Sequence, residues 1–342
     1  MSLCGKSSSL YLALALALPV ATAHAAAPIP KESGFSGSVS AGLMAISFES
    51  NMVAGFDFGD AGSSKVSSIF DGPESEDDLW PMVNFDLRYT FANSGTQVFL
   101  GNRLEDFIRL DFTNQLGIRQ AIGERSTISI AAVFTSFSAE VWADPYVAGV
   151  SRNKTDRDNT GARLEWENAL DSNFGLTYTY RKVELDKEQS GLTQLGLPAA
   201  QAALLSREGD IHAVEGSYNW KVGERQSLIP ALVLSKRDLD GDAMSNDRVG
   251  VQLTWVSQGD DFSYSVNAGY TQADYDKANP IYGRTREDDV YALAGQLFWH
   301  RPFGAPEGLS ALFTAGLYRE DSNIDFYDSN ATFGGVSAFY RF

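Results

Sequence analysis

The sequence is poor in cysteine and histidine, and it has no long apolar run after its first 25 residues. Its single cysteine is Cys4, and only three histidines are present. A lone cysteine cannot form a disulfide within the chain, so side-chain packing or a closed sheet must hold the fold together. So few histidines cannot build a histidine-rich metal site. We therefore predict no metal and no cofactor.

The first 25 residues carry the pattern of a secretory signal peptide. Lys6 precedes an apolar stretch over 10–18, and small residues follow up to Ala25. The apolar stretch is shorter than the roughly 20 residues that a membrane helix needs. We predict cleavage after Ala25, which removes Cys4, and a single domain over 26–342.

The chain is strongly acidic. It holds 44 acidic and 27 basic residues, for a formal net charge of −17 at pH 7. Such a chain repels nucleic acid, so no nucleic-acid partner is expected. The acidic residues are otherwise typical of a well-hydrated surface.

Apolar and polar residues alternate with a period of two along most of the chain. Between 83 and 91, apolar residues alternate with Asn84, Asp86, Arg88 and Thr90, and similar stretches lie near 35–45, 108–113, 175–181 and 262–270. This period indicates strands with one apolar and one polar face. A soluble sandwich could show the same alternation, so further features must decide.

Four tryptophans favour a membrane barrel over a sandwich. Each stands on the apolar parity of a strand, a few residues before a short turn: Trp166, Trp220, Trp255 and Trp299. If these strands run toward the periplasm, the four indoles form one girdle at the lipid headgroup boundary.

The lengths of the connections and the last strand also favour a membrane barrel. Short turns alternate with long polar segments over 50–78, 140–159, 186–210, 273–287 and 319–330. This alternation is typical of barrels with periplasmic turns and external loops. The last strand ends at Phe342, which resembles the signal that the barrel-assembly machinery reads, and we predict that machinery as a partner, along with outer-membrane lipid and lipopolysaccharide. The prediction is an all-β, transmembrane, antiparallel up-and-down barrel of about 14 strands. Twelve is the alternative if 98–101 is not a strand of its own.

Several loop segments resemble the outer-membrane barrel family known as domain of unknown function 2860. The matching segments are IPKESGFSG at 29–37, EVWADPY at 140–146, DLDGDAMS at 238–245, NPIYG at 279–283 and EDSNIDFYD at 320–328. The resemblance covers nearly the whole chain after residue 25. It implies the barrel fold, and it implies no activity and no functional residues.

Few residues are candidates for chemistry. A membrane-surface hydrolase would need His212 or His300 beside a serine or carboxylate. Neither has such a partner on its own strand, although a neighbouring strand could supply one. We expect neither histidine to face one, and we predict that the protein is not an enzyme. Asp238, Asp240 and Asp242 match a calcium loop poorly, and the acidic run 74–78 is explained equally well by hydration or by cation bridges to lipopolysaccharide. The loop 191–207 contains Pro198 and is expected to form a short helical lid.

The polar parity of the strands supplies candidate residues for the lumen. They are Asp86, Arg88, Arg109, Asp111, Arg119, Arg163, Glu165, Arg181, Glu215, Arg248 and Arg341. A barrel of about 14 strands is wide enough inside for water, which predicts a passive, porin-like channel for small hydrophilic solutes. Among the candidate lumen residues arginines outnumber carboxylates, which predicts a preference for anions. The alternatives are a non-conducting structural or surface barrel and, more distantly, a hydrolase. The sequence does not indicate the solute or the oligomeric state.

Overall fold

The computed structural model describes residues 28–56, 59–102, 113–135 and 139–342. The segment predicted to be a signal peptide lies outside these ranges. The strands are β1 Gly34–Ser50, β2 Val53–Phe56, β3 Gly59–Asp60, β4 Ser75–Phe91, β5 Thr96–Asn102, β6 Thr113–Ala121, β7 Thr127–Thr135, β8 Ala139–Trp142, β9 Lys154–Glu167, β10 Phe174–Leu185, β11 Gly209–Tyr218, β12 Trp220–Lys221, β13 Gln226–Leu239, β14 Asn246–Ser257, β15 Phe262–Asn279, β16 Arg284–His300, β17 Leu309–Ser322 and β18 Ser329–Arg341.

Helical structure in the described residues is confined to single turns. An α-helical turn spans Ala199–Ala202, and 3-10 turns span Ala92–Ser94, Ala169–Asp171, Ala203–Leu205, Pro302–Gly304 and Asp325–Tyr327. None of the described helices is both long enough and apolar enough to span a membrane.

The strands close into an antiparallel barrel. β1 pairs with β4 on one side and with β18 on the other, so the sheet has no free edge there. β11 and β12 together form one barrel strand along β13, whereas β2, β3 and β8 belong to the loops at one end. The result is a closed barrel of 14 strands, which confirms the predicted fold and strand number.

The short strand β5 decides between 14 and 12 strands. Val98 on β5 pairs with Tyr89 on β4 and with Ile118 on β6. The segment therefore forms two hairpins of its own. Its left-handed Gly95, at φ 61°, closes the first of these hairpins.

The barrel wall is apolar on its outer face. Leu43 on β1, Leu234 on β13 and Leu293 on β16 are exposed on the outside, while the residues beside them on each strand turn inward. Contiguous apolar surface of this extent is unfavourable in water, and it matches the hydrocarbon of a bilayer. The chain is a transmembrane barrel.

The prediction of an external loop over 273–287 is wrong. The segment 273–287 is mostly strand, because β15 continues to Asn279, β16 begins at Arg284, and only a tight turn over 280–283 joins them. A bulge lies between Asp274 and Ala278. In the sequence, the polar residues Asp274, Asp276 and Lys277 suggest a loop. They are exposed on a strand instead, because the outer face of a strand can be polar where it extends beyond the apolar band.

The turns at the opposite end of the barrel are tied to one another. Asp171 Oδ1 accepts hydrogen bonds from the backbone N–H groups of Arg125 and Ser126, at 2.8 and 2.9 Å. These bonds hold the pKa of the Asp171 carboxyl below its ordinary value. The backbone at Asp171 is left-handed, with φ 58°, a conformation that aspartate tolerates better than most residues.

Candidate functional site

The inner face of the barrel collects the predicted lumen residues. On the inward parity stand Asp86 and Arg88 of β4, Arg119 of β6, Arg163 and Glu165 of β9, Arg181 of β10, Glu215 of β11, Arg248 of β14 and Arg341 of β18. The predicted Arg109 and Asp111 lie outside the described residues.

Further charged side chains share this inner face, although the sequence analysis did not select them. They are Arg157 and Glu167 on β9, Arg237 on β13, Arg286 and Asp288 on β16, and Glu320 on β17. Acidic neighbours hide the alternation at these positions. Arg157, for example, stands between Asp156 and Asp158, whose side chains point outward.

The half of the lumen nearest the short turns contains an accessible ion pair. Arg88 Nη2 lies 2.6 Å from Asp86 Oδ2, and the two side chains keep 38% and 35% of their surface exposed although both face inward. The inner space beside β4 is therefore wide enough for solvent.

Farther along the same side of the wall, the inner face of β6 to β10 carries a buried hydrogen-bond network. Arg119 Nη2 contacts Glu167 Oε2 at 2.9 Å. Arg163 Nε donates to Thr179 Oγ1 at 3.0 Å, and Ser129 Oγ donates to Glu165 Oε2 at 3.0 Å. The network joins β6, β7, β9 and β10, and it fixes the positions of the charges that line the lumen.

A neutral polar patch lies on the wall formed by β16, β17 and β18. Gln296 pairs with Thr314 across the strands, and Ser337 stands diagonally beside them. All three side chains are buried, and each has a polar atom without a hydrogen-bond partner. Buried groups of this kind are normally satisfied by water or by a solute.

Toward the outer end, the inner wall becomes apolar. Met44, Ile46 and Phe48 of β1 pack inward against Trp80 of β4 and Phe333 of β18, and Phe56 from the loop after β1 joins them. The rings of Phe56 and Trp80 meet edge to face at 5.2 Å between centroids. The predicted polar lumen thus ends at an apolar cluster.

The outer mouth is covered by a second apolar cluster, which we call the cap. Its buried members come from different loops and strand ends: Ile69, Tyr146, Leu205, Met244, Ile324, Phe326 and Tyr327. Tyr146 and Tyr327 follow β8 and β17, and their hydroxyl oxygens lie 2.5 Å apart. Asn279 Nδ2 donates to the Tyr327 hydroxyl at 2.6 Å. Burial raises the pKa of the Tyr146 hydroxyl well above its ordinary value, so both tyrosines are neutral.

Two polar side chains fasten the loops under the cap. Arg152 Nη1 donates to Asn51 O at 2.8 Å, and its guanidinium lies 4.2 Å from the ring centroid of Trp142. Burial lowers the pKa of Arg152 to about 10, and the residue remains charged at neutral pH. Asp144 accepts hydrogen bonds from the backbone N–H groups of Gly191 and Thr193, both at 2.9 Å.

The predicted lid over 191–207 contains a short helical turn. Ala199–Ala202 is helical after Pro198, and the following Leu205 is fully buried in the cap. At the edge of the lid, Glu188 Oε2 lies 2.8 Å from Arg207 Nε. Burial raises the pKa of the Glu188 carboxyl, but the attraction of Arg207 outweighs it and holds the pKa below its ordinary value.

Beneath the cap lies a group of arginines with few carboxylates. Arg286 lies 2.7 Å from Asp288 and 3.0 Å from Glu320. Arg248 shares Glu320 at 3.8 Å. Arg157 on β9 and Arg237 on β13 also stand on the inward parity, so the arginines of this group outnumber its carboxylates.

The expectation that neither histidine faces a serine is wrong for His300. Its Nε2 lies 2.8 Å from Ser263 Oγ, and its Nδ1 lies 3.1 Å from Ser310 Oγ. Both serines belong to neighbouring strands, which same-strand spacing cannot show. Both ring nitrogens of His300 face serines, so no carboxylate of the described residues bonds to the imidazole. Ser263 is 0% exposed, which leaves its hydroxyl closed to a substrate. His212 points outward, with its Nδ1 2.8 Å from the Tyr178 hydroxyl.

The four predicted girdle tryptophans stand at strand ends that lead into the short turns. Trp220 pairs with Leu228, which in turn pairs with Trp255, and Trp299 pairs with Phe262. Trp220 and Trp255 are 56% and 41% exposed. Trp166 shares the outward parity, and its Nε1 donates to Ser126 Oγ at 3.0 Å.

The candidate acidic loops do not assemble a metal site in the described part of the chain. Asp242 Oδ2 lies 2.6 Å from Lys277 Nζ, and Asp78 Oδ2 accepts from the backbone N–H of Asp60 and from Trp80 Nε1. No cluster of three or more metal-ligating side chains forms among the described residues.

Solved structures similar to this chain are outer-membrane barrels. The outer membrane channel DcaP of Acinetobacter baumannii has a TM-score of 0.47 and 10% identity, over 91% of this chain and 97% of that one. The CymD monoaromatic hydrocarbon channel has a TM-score of 0.43 and 8% identity, over 90% and 88%. An anion-selective porin from Comamonas acidovorans has a TM-score of 0.39 and 8% identity, over 91% and 100%. At these identities, similarity concerns the barrel and not the solute.

No curated protein matches the chain. The profile of one family, described as "Protein of unknown function (DUF2860)", matches residues 34–341.

Proposed function

The chain belongs to the family described as protein of unknown function (DUF2860), and we propose that it forms a narrow channel for small hydrophilic solutes in a Gram-negative outer membrane. A closed barrel with an apolar outer face and a charged inner face is the architecture of such channels. The accessible Asp86–Arg88 pair is the observation that carries the proposal, because it marks solvent space inside the wall.

The channel prefers anions. Inward arginines outnumber inward carboxylates in the described strands, and fixed charges act strongly in a pore with low-dielectric walls. The external loops are acidic and oppose this preference at the mouth. Salt screens such exposed charges within about 8 to 10 Å, so the lumen governs selectivity.

Passage requires the cap to open. The cap is held by contacts between loops, and the barrel strands remain paired without it. Loops that carry their own contacts can separate while the scaffold stays folded. The channel is therefore closed at its outer end until the loops move.

The second candidate is a non-conducting structural or surface barrel, and the cap favours it. The Tyr146–Tyr327 contact spans the mouth, and the apolar cluster around Trp80 narrows the lumen below it. A hydrolase receives no comparable support, because Ser263 beside His300 is buried.

We also propose cleavage after Ala25, a single barrel domain over 26–342, and recognition of the strand ending at Phe342 by the barrel-assembly machinery. The four tryptophans are proposed to mark one lipid boundary, adjacent to outer-membrane lipid, and the loops at the other end to face lipopolysaccharide.

Single-channel recording in planar bilayers tests the channel. Under a salt gradient we expect a reversal potential that indicates anion preference. Arg88→Ala leaves Asp86 uncompensated and should shift selectivity toward cations, whereas Asp86→Asn should strengthen the anion preference. Arg225→Ala is the matched control, since Arg225 pairs with Asp260 on an exposed turn. Cation selectivity of the unmodified protein would overturn the arginine argument, and a complete absence of conductance would favour the structural barrel.

A further inference from the structure

We propose that Arg157, Arg237 and Arg248 form a binding site for a small organic oxyanion, directly beneath the cap. The inference adds to the proposed function the chemical class of the solute that binds in the lumen. It rests on the proposed function only for the route by which the solute reaches the site. Binding itself can be measured without conduction.

The three arginines converge from different strands. Arg237 on β13 pairs with Asn246 on β14, and Arg248 stands two residues further along β14 on the same inward parity. Arg157 projects inward from β9, and its positive charge, like that of Arg248, repels the Arg237 guanidinium. Three like charges are thus held within electrostatic reach inside the barrel.

The cap lies immediately above them. Leu239, two residues beyond Arg237, packs against the cap cluster. Thr155, two residues before Arg157, accepts a hydrogen bond from the backbone N–H of Lys187 in the loop that carries the lid. The site is therefore roofed by the loops and walled by strands.

Nearby carboxylates do not neutralise this charge. Glu320 and Asp288 are both engaged by Arg286, and Glu320 lies at a longer 3.8 Å from Arg248. Beyond the backbone pairing of their strands, the side chains of Arg157 and Arg237 make no hydrogen bond and no ion pair with another described residue. A cation inside a protein without a counter-ion is unfavourable, and a bound anion would remove that penalty.

The chemistry of the donors identifies the ligand class. A guanidinium presents paired N–H donors that match the two oxygens of a carboxylate or phosphate. Beside the arginines, Val183, Leu185 and Ile211 form a small apolar cluster: Leu185 pairs with Arg157, and Ile211 pairs with Arg237. Oxyanion donors next to an apolar wall fit a short organic acid better than an inorganic ion.

Calorimetric titration of the full barrel in detergent tests the site. The probes are pentanoate, glutarate, inorganic phosphate and pentylammonium, the last being a cation of similar length. We expect the two carboxylates to bind, glutarate more tightly, and pentylammonium not to bind. Arg157→Gln and Arg237→Gln should each weaken carboxylate binding by about tenfold or more, as expected for a lost charged hydrogen bond. The control Arg225→Gln should change nothing.

Folding is verified by the heat-dependent gel mobility of the barrel, and Arg157→Lys and Arg237→Lys, which keep the charge, replace any variant that fails this check. Unchanged carboxylate affinity in the folded arginine variants, or equal binding of pentylammonium, would overturn the site. If inorganic phosphate bound as tightly as glutarate, the preference of the site for an organic acid would be contradicted. A barrel that binds without conducting would contradict only the channel, and one that conducts without binding would contradict only the site.

Discussion

Arg152 shows how much of the loop structure can depend on one side chain. Its guanidinium donates to backbone carbonyls of Asn51, Ser63 and Pro145 and lies over the ring of Trp142. The loop after β8 also contacts the loop after β1 through the Gly149 N–H, which donates to Val66 O at 2.8 Å. One residue thus joins the loop after β1 to the loop after β8.

We predict that Arg152→Met opens these loops locally. Buried carbonyls left without a donor cost roughly 1 to 3 kcal/mol each, so protection of the Gly149 amide from hydrogen exchange should fall by at least about tenfold. Exchange measured by mass spectrometry on the reconstituted barrel checks this, with Arg225→Met as control. Equal protection in both variants would show that Arg152 is dispensable.

At the scale of single elements, the loop 186–208, which carries the lid, depends on the charge of Glu188. The folded carboxyl has a pKa below its ordinary value of 4.5. The ion pair with Arg207 therefore stabilises the lid fully when the pH is above the ordinary pKa of the carboxyl. This contribution is lost as the pH falls through the lowered pKa.

We predict that the lid loosens in acid. Pepsin cleavage within 186–208 should accelerate as pH falls below 4.5, beyond the enzyme's own pH dependence measured on an unfolded peptide of this segment. Glu188→Gln should be cleaved rapidly already at about pH 5. Glu184→Gln is the matched control, because Glu184 pairs with Lys182 at an exposed position of β10. A Glu188→Gln variant as resistant as the control would contradict the role of the pair.

The elements also show where the sequence was informative. Period-two alternation predicted the barrel, and even the short strand β5, because lipid requires an apolar outer face at every second residue. Of the cap, only the lid over 191–207 was predicted, and of the arginines beneath the cap, only Arg248 was predicted. Tyr146, Leu205 and Tyr327 stand in loops without periodicity, and only the closed barrel brings them together. His300 and its two serines were missed for the same reason, since their contacts cross strands.

For the whole molecule, tryptophan positions predict its depth in the bilayer. Trp220 and Trp255 are exposed on the outer face, whereas Trp80 and Trp142 are buried inside. Lipids brominated near the headgroup should quench part of the fluorescence, and lipids brominated near the chain end should quench less. Trp220→Phe combined with Trp255→Phe should remove much of this quenching. Strongest quenching from the chain end would contradict a boundary position.

The pairing of β1 with β18 governs the order of events during folding. Ser329 Oγ donates to Glu49 O across 280 positions of sequence, while most other strand pairs are sequential hairpins. Hairpins form from local contacts, but this seam joins two segments that are far apart in the sequence, so closing it costs more loop-closure entropy than closing a hairpin. Until then, β1 and β18 present two unpaired edges able to join other chains. The slow and vulnerable step of folding is therefore the joining of this one seam.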